Sequence, residues 1–316
     1  MVLFAVVMAL LLEQVRPLGP HNPVALSLHR WARGVARTVD AGDARHGWLA
    51  WLLAVFLPAL AVAAVHGLLL RVGGWPLALL WSVAVLYVAL GFRQFSHHFT
   101  GIRDALEAGD EARARQLLAR WKRVDAAALP PGEVVRQVIE YSVLTAHRHV
   151  FGPLAWFCLL AVLGLGPAGA VFYRNADFVA RYWRRKALAP EQVVSPALRQ
   201  VAEQARRVID WLPARMTALG FAITGSFEDA VDAWRQHAAR FAERNEGVIL
   251  AATAGAIGVR LGSASARSSA GGQALDGMPG DAPRSAHFGQ AVGLVWRTVA
   301  LWLLVLVLLT LAHVMG

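Results

Sequence analysis

Between Trp48 and Phe92 the chain reads WLAWLLAVFLPALAVAAVHGLLLRVGGWPLALLWSVAVLYVALGF, and this stretch decides the fold. Trp48 to Leu70 is apolar except for His66, and Trp75 to Phe92 carries no charge at all. A helix needs about 20 such residues to cross the hydrocarbon core of a bilayer. The connection Arg71-Val72-Gly73-Gly74 is too short for anything but a reversal, so the stretch predicts an antiparallel helical hairpin. A third segment, Leu294 to Val314, has LWLLVLVLL at its centre and Arg297 and His313 near its ends. From there a polar tip reaches the membrane surface.

Composition agrees. Of 316 residues, 57% are hydrophobic and 16% charged, against about 45–50% and about 25% in soluble domains. The formal charge of +10 is assigned to lipid headgroups and to the Lys/Arg excess of cytoplasmic loops. No zinc-finger or RNA-binding signature is present, so no nucleic-acid partner is expected. The single cysteine, Cys158, excludes an intrachain disulfide and a Cys-based metal site. It reads as a buried thiol packed as a small hydrophobe. Met1 to Leu12 is apolar but has neither a basic leader nor a small-residue cleavage site, so it is expected to be retained.

Charge sets the topology. The loop Gln14 to Gly47 carries Arg16, Arg30, Arg33, Arg37 and Arg45, and the loop Arg93 to Val150 carries nine basic residues. The hairpin puts both on one side, expected to be cytoplasmic. A full crossing at Phe151 to Phe172 would strand Arg174, Arg181, Arg184, Arg185 and Lys186 outside, and Gly164, Gly166 and Pro167 interrupt that segment. It is therefore expected to be re-entrant. Gly247 to Val259 is too short to cross, and its Ala and Gly suit close helix packing.

The remaining segments read as polar helices. Asp110 caps one in which Ala114, Leu117, Leu118 and Trp121 form a stripe, and Gly109 ends the helix before it. Pro130-Pro131-Gly132 opens another, and Glu191 to Arg207 and Phe227 to Arg244 are two more. No β pattern appears. The expected fold is all-α and polytopic. It comprises a membrane domain over 1–262 with a cytoplasmic helical region at 93–149, a flexible Ser/Gly/Ala linker at 263–285 and a transmembrane helix at 286–316.

Four places resemble one superfamily, the CobD/CbiB cobalamin-biosynthesis membrane proteins and their AmpE relatives. The first is Leu10-Leu11-Leu12-Glu13 followed by Pro20-His21-Asn22-Pro23-Val24, similar to an acidic residue and then P-H-P-V. The second runs from Ala105-Leu106-Glu107-Ala108-Gly109-Asp110 through Asp125 to Glu133 and Glu140. The third is Pro213-Ala214-Arg215-Met216-Thr217-Ala218. The fourth, the most specific, is Asn245-Glu246-Gly247 with Ala251 to Gly262, similar to N-x-G-W-P-E-A-A-x-A-G-A-L-G-V-x-L-G.

The resemblance implies a bacterial inner-membrane, multi-pass protein that joins an aminopropanol or its phosphate to adenosylcobyric acid by an ATP-dependent amide bond. ATP and magnesium would be its cofactors, with a lipid bilayer and a corrinoid as partners. The candidate substrate or phosphate contacts are Glu13, His21, Asp125, Glu140, Arg174, Asp177, Arg215, Asn245 and Arg260, expected to converge on one surface. Several acidic positions of the family pattern are replaced. W-P-E is Val248-Ile249-Leu250, a second acidic residue is Leu144, and an Asp-Asp pair is Arg206-Arg207. Fewer carboxylates remain to hold magnesium, which leaves the catalysis open. The alternative is an AmpE-like, non-catalytic modulator linked to cell-wall recycling and β-lactamase induction, towards which His147-Arg148-His149 and Pro153-Leu154-Ala155-Trp156 lean.

Each residue also has a plainer reading. Glu140, four after Arg136, makes a helical ion pair. Asn245 caps a helix. Gly255 and Gly258 are packing contacts, since no strand precedes them. Arg215 snorkels to headgroups. The pairs His97-His98 and His147/His149 do not share a helix face, so no metal site is expected.

Overall fold

The computed structural model describes residues 1–16, 23–91, 93–122, 125–187, 194–262 and 280–315. Every regular element among them is helical, and the sole β pairing is one isolated bridge. The chain divides into two compact units, Met1–Gly91 with Arg148–Pro213, and Phe92–His147 with Ala214–Gly316.

The first unit holds α1 (Val2–Val15), α2 (Pro23–Val39), α3 (Ala44–Ala89), α7 (Gly152–Val162), α8 (Ala168–Ala187) and α9 (Pro196–Ile209). Asp43 starts α3 by accepting the His46 N–H at 2.8 Å. Over its length α3 is two arms, because Gly74 sits at φ +67°, ψ −165°. Trp81 Nε1 donates to the Val62 carbonyl at 3.3 Å. Nineteen residues apart on a straight helix would lie about 28 Å apart, so the arms fold back on each other as the sequence predicts. The second arm stops at Ala89, since Leu90 is extended.

The segment Phe151 to Phe172 is broken as expected. Gly164 and Gly166 adopt φ +76° and +56° between α7 and α8. A Cβ on Gly169 would lie 1.9 Å from the Trp156 carbonyl oxygen, so glycine lets α8 close onto α7. Gly166 likewise faces the His66 ring, 2.4 Å from where a Cβ would be. A cavity of about 60 Å³ beside it is lined by Met1, His66, Ser82 and Phe157 among others. The core of this unit gathers Trp51, Val55, Tyr173, Trp183, Leu198 and Val201. The expected helix Glu191 to Arg207 starts at Pro196 instead. Ser195 caps it by accepting the Leu198 N–H at 3.1 Å, and Pro196 takes the first turn, where no N–H is needed.

The second unit holds α4 (Arg93–Glu107), α5 (Glu111–Lys122), α6 (Pro131–Ala146), α10 (Trp211–Thr224, from Ala214 on), α11 (Phe227–His237), α12 (Arg244–Ile257) and α13 (Ala286–Met315). Asp110 Oδ1 accepts the Arg113 N–H at 2.9 Å, the cap read from the sequence. The expected helix Phe227 to Arg244 ends earlier, at His237, with one 3₁₀ turn at Ala238–Arg240. Gly255 is where α11 and α12 touch, since a Cβ there would lie 2.1 Å from the Asp229 carbonyl oxygen. Gly258 packs through its backbone, since a Cβ on Gly280 would lie 2.8 Å from the Gly258 carbonyl. It ends α12 at φ +65° with open space around its Cβ direction.

Among the described residues two helices, Ala44–Ala89 and Ala286–Ala312, are long and apolar enough to cross a membrane, and 22% of the most apolar window of each is buried. The core helix of a soluble protein would be mostly covered. α1, with 14 residues, is shorter than a span.

Candidate functional site

In the second unit the site is built on α6. Residues 136 and 140 lie one turn apart on the same face. Glu140 Oε1 accepts the backbone N–H of Gly262 at 2.6 Å, and Arg136 Nη1 donates to the Gly262 carbonyl at 2.5 Å. One peptide residue is thus gripped at both of its polar groups. Arg136 also pairs with Glu133, and Gln137 Nε2 donates to Glu133 Oε1 at 3.0 Å. Lys122 Nζ in turn donates to Gln137 Oε1 at 2.9 Å. The result is a chain of contacts from Lys122 to Gly262.

Burial pushes the Glu140 carboxyl above the ordinary carboxylate range, against the pull of the Gly262 N–H, Arg136 and Lys122. Burial pushes the Lys122 amine down, while Glu140, Glu133 and Glu246 pull it up. The influence of Glu246 places the first turn of α12 beside Lys122, consistent with α12 packing on α6. Beyond Gly258 the backbone of Arg260 donates to the Asp281 carbonyl at 2.9 Å, and Asp281 N–H returns to Gly258 at 2.8 Å. The Arg260 side chain is exposed.

The first unit has its own polar group on α8. Asp177 is buried, bonded to Arg181, with Arg174 Nη1 3.9 Å away. Beside it the Tyr173 hydroxyl donates to Asp210 Oδ1 at 2.7 Å.

The nine candidates divide accordingly. Glu13, Arg174 and Asp177 fall in the first unit, where Glu13 is buried in α1 and the other two pair on α8. Asp125, Glu140, Arg215, Asn245 and Arg260 fall in the second. His21 lies outside the described residues, as do the side chains of His97 and His98. Within the second unit Glu140 alone of the candidates enters the grip on Gly262. Asp125 is exposed and accepts the Ala127 N–H at 3.0 Å in a local turn. Asn245 is not a cap. It is the second residue of α12 and buried, because the chain turns helical at Arg244. The Arg136–Glu140 pair is present at 3.8 Å but secondary to the Gly262 bond.

Sequence reading missed Lys122, Gln137 and the role of Gly262, since nothing in their spacing ties residues so far apart. His147 makes an ordinary buried bond, Nδ1 to Thr217 Oγ1 at 2.9 Å. Cys158 is half-buried rather than fully so. Among the described residues no three His, Cys, Asp or Glu side chains are grouped as a metal site.

Comparison with known proteins places these features in context. The family model described as "CobD/Cbib protein" matches residues 2–295. The cobalamin biosynthesis protein CobD of Stutzerimonas stutzeri is 31% identical over 316 residues, covering 96% of this chain and 97% of its own. That of Chromobacterium violaceum is 33% identical over 229 residues, 72% of this chain and 69% of its own. That of Mycobacterium tuberculosis (strain CDC 1551) is 32% identical over 259 residues, 76% and 74%. No solved structure matches.

Proposed function

The chain belongs to the CobD/CbiB protein family, and from that membership we propose that it is a membrane-embedded cobalamin-biosynthesis protein. It attaches an aminopropanol, or its phosphate, to adenosylcobyric acid through an ATP-dependent amide bond. The observation that carries this reading is the grip of Glu140 and Arg136 on Gly262. It ties two stretches resembling the family pattern, the α6 acidic helix and the end of the Ala/Gly segment, into one rigid piece. No comparison favours the AmpE-type alternative.

The arms of α3 and the helix α13 supply the membrane anchor in this reading, and bacterial inner membrane is the compartment. Arg260, exposed beside the held loop, contacts an anionic group of the corrinoid or of the nucleotide. Glu140 serves this reading by holding that loop through the Gly262 N–H. The described side chains do not fit a resident magnesium site, so magnesium is assigned to the nucleotide substrate. Magnesium usually keeps several waters and binds through substrate phosphates.

The test is complementation of a bacterial strain blocked in corrinoid amidation, alongside an assay of purified protein with ATP–magnesium, adenosylcobyric acid and aminopropanol phosphate. Restored growth and amide product support the reading. An abundant, folded protein that gives neither would end it.

A further inference from the structure

The outer face of α2 is basic. Leu26, Arg30, Arg33 and Arg37 stand at i, i+4, i+7 and i+11, which is one stripe of a helix, and all four are exposed. Val24 and Trp31, on a neighbouring line, are 45% and 40% exposed. The opposite face is buried, and its Ala32, Val35 and Ala36 share one core with Trp51 and Ala54 of α3 and Trp183 of α8. Only Asp40 to Asp43 link α2 to α3, and helices packed through so short a link run antiparallel. Arg37 therefore lies level with the polar start of α3, and Val24 and Leu26 lie level with its apolar stretch. α8 runs in step with α2. His29 meets Phe178 and Tyr182 edge to face, Trp183 Nε1 donates to the Ala32 carbonyl at 3.2 Å, and Arg33 Nε donates to the Tyr182 hydroxyl at 3.4 Å. One turn further on, beside the Arg37 end of α2, α8 carries Arg184, Arg185 and Lys186. Neither α2 nor the last turn of α8 contains an acidic residue. The nearest acids in sequence are engaged: Asp40 accepts the Ser195 N–H and hydroxyl at 2.7 Å, and Asp43 accepts the His46 N–H at 2.8 Å. Arg30 and Arg37 pair with no carboxylate among the described residues.

We propose that the arginine stripe of α2, with the basic end of α8, seats the headgroups of anionic phospholipids at the membrane surface where α3 begins. A guanidinium fork matches the phosphate oxygens of a headgroup, and a cation held near an anionic leaflet gains from its surface potential. Trp31, and Trp48 at the start of α3, are both 40% exposed, and tryptophans of this kind settle at headgroup level. The exposed apolar side chains beside the arginines fit a bilayer, which offers hydrocarbon beneath its charge, better than a nucleic acid, which offers charge alone. The assignment rests on the membrane reading of α3, and adds to it a lipid class and the residues that select it.

The full chain is reconstituted in vesicles of phosphatidylcholine and phosphatidylglycerol, with each lipid spin-labelled in turn. Electron spin resonance then gives the association of one lipid with the protein relative to the other. Wild-type protein is expected to prefer phosphatidylglycerol. An arginine near an anionic surface is worth about fivefold, so Arg30→Gln with Arg37→Gln is expected to remove most of the preference. Arg30→Lys with Arg37→Lys is expected to keep it. Arg113→Gln with Arg120→Gln, on exposed positions of α5 in the second unit, is expected to leave it unchanged. Should the first glutamine pair not fold, Arg30→Gln alone answers, with a loss of about fivefold or less. Motionally restricted lipid that shows no preference, or equal losses in the two glutamine pairs, overturns the site and leaves the membrane reading standing. Absence of any restricted lipid overturns both. Release of the restricted phosphatidylglycerol by excess duplex DNA overturns the lipid assignment in favour of a nucleic acid.

Discussion

Glu140 and Gly262 are joined across 122 residues by a 2.6 Å bond from a backbone N–H to a buried carboxylate. Arg136 holds the carbonyl of the same glycine from one turn away, so the loop after α12 is fixed to α6 at both polar groups of one residue. Glu140→Ala orphans the Gly262 N–H and leaves Arg136 with less of its counter-charge. It is expected to cost about 3 kcal/mol. Glu140→Gln keeps an acceptor and is expected to cost about 1 kcal/mol. Thermal unfolding in detergent, followed by circular dichroism, orders the two variants, and equal losses would mean that the bond is not made.

The same carboxyl gives a pH dependence. Its folded value lies above the ordinary 4.5 because of burial. A carboxyl raised on folding binds its proton more tightly in the native state, so its stabilising contribution is complete below the unfolded value. That contribution is lost as pH rises through the folded value. Wild-type protein is expected to lose stability as pH rises above the ordinary carboxylate range, and Glu140→Gln, which cannot titrate, is expected to flatten that portion of the profile. Melting curves taken across this range decide it.

What the sequence made legible is local. Asp110 before an apolar stripe, Gly109 behind it and Gly73-Gly74 between two apolar runs each act within a turn or two, and each stands where the spacing put it. The end of α11 was not legible, because the helical pattern of Phe227 to Arg244 continues past His237 while the chain does not. Asn245 has the chemistry of a cap, yet Arg244 is already helical. The grip on Gly262 depends on residues brought together from distant segments, and no periodicity encodes that. Of the candidates, Glu13, Arg174 and Asp177 belong to the first unit and Asp125, Glu140, Arg215, Asn245 and Arg260 to the second.

Two glycines separate packing from mere permissiveness. Gly255→Ala drives a methyl into the Asp229 carbonyl and the Ala230 Cα, and α11 and α12 must part. A loss of about 2–3 kcal/mol is expected, as for other overpacked contacts. Gly293, inside α13, has open space at its Cβ position. Gly293→Ala is expected to be neutral or to stabilise by up to about 1 kcal/mol, through helix propensity. Paired melting curves of the two variants report the difference.

The reversal at Gly74 fixes a topology. If the two arms of α3 cross a bilayer as an antiparallel pair, cysteines replacing Arg45 and Gly91 lie on one side and a cysteine replacing Val72 lies on the other. In a Cys158→Ser background, a membrane-impermeant maleimide should label the first two in inside-out vesicles only and the third in right-side-out vesicles only. Labelling of all three from the same side would place the hairpin outside the membrane.

Arg260 tests the chemistry with the least disturbance of the fold. Its backbone is tied to Asp281, but its side chain is exposed, so truncation removes no structural bond of the described residues. Arg260→Ala is expected to leave the melting temperature within the range of an ordinary surface change, about 0.5 kcal/mol. If the side chain meets an anionic group of the corrinoid or nucleotide, kcat/KM for amide formation should fall about tenfold or more, the worth of one charge-assisted contact. A rise in KM with unchanged kcat would mark a contact made equally in ground and transition states, and a fall in kcat one made only in the latter. Wild-type kinetics in a folded Arg260→Ala would remove Arg260 from the site and with it the assignment of substrate to this loop.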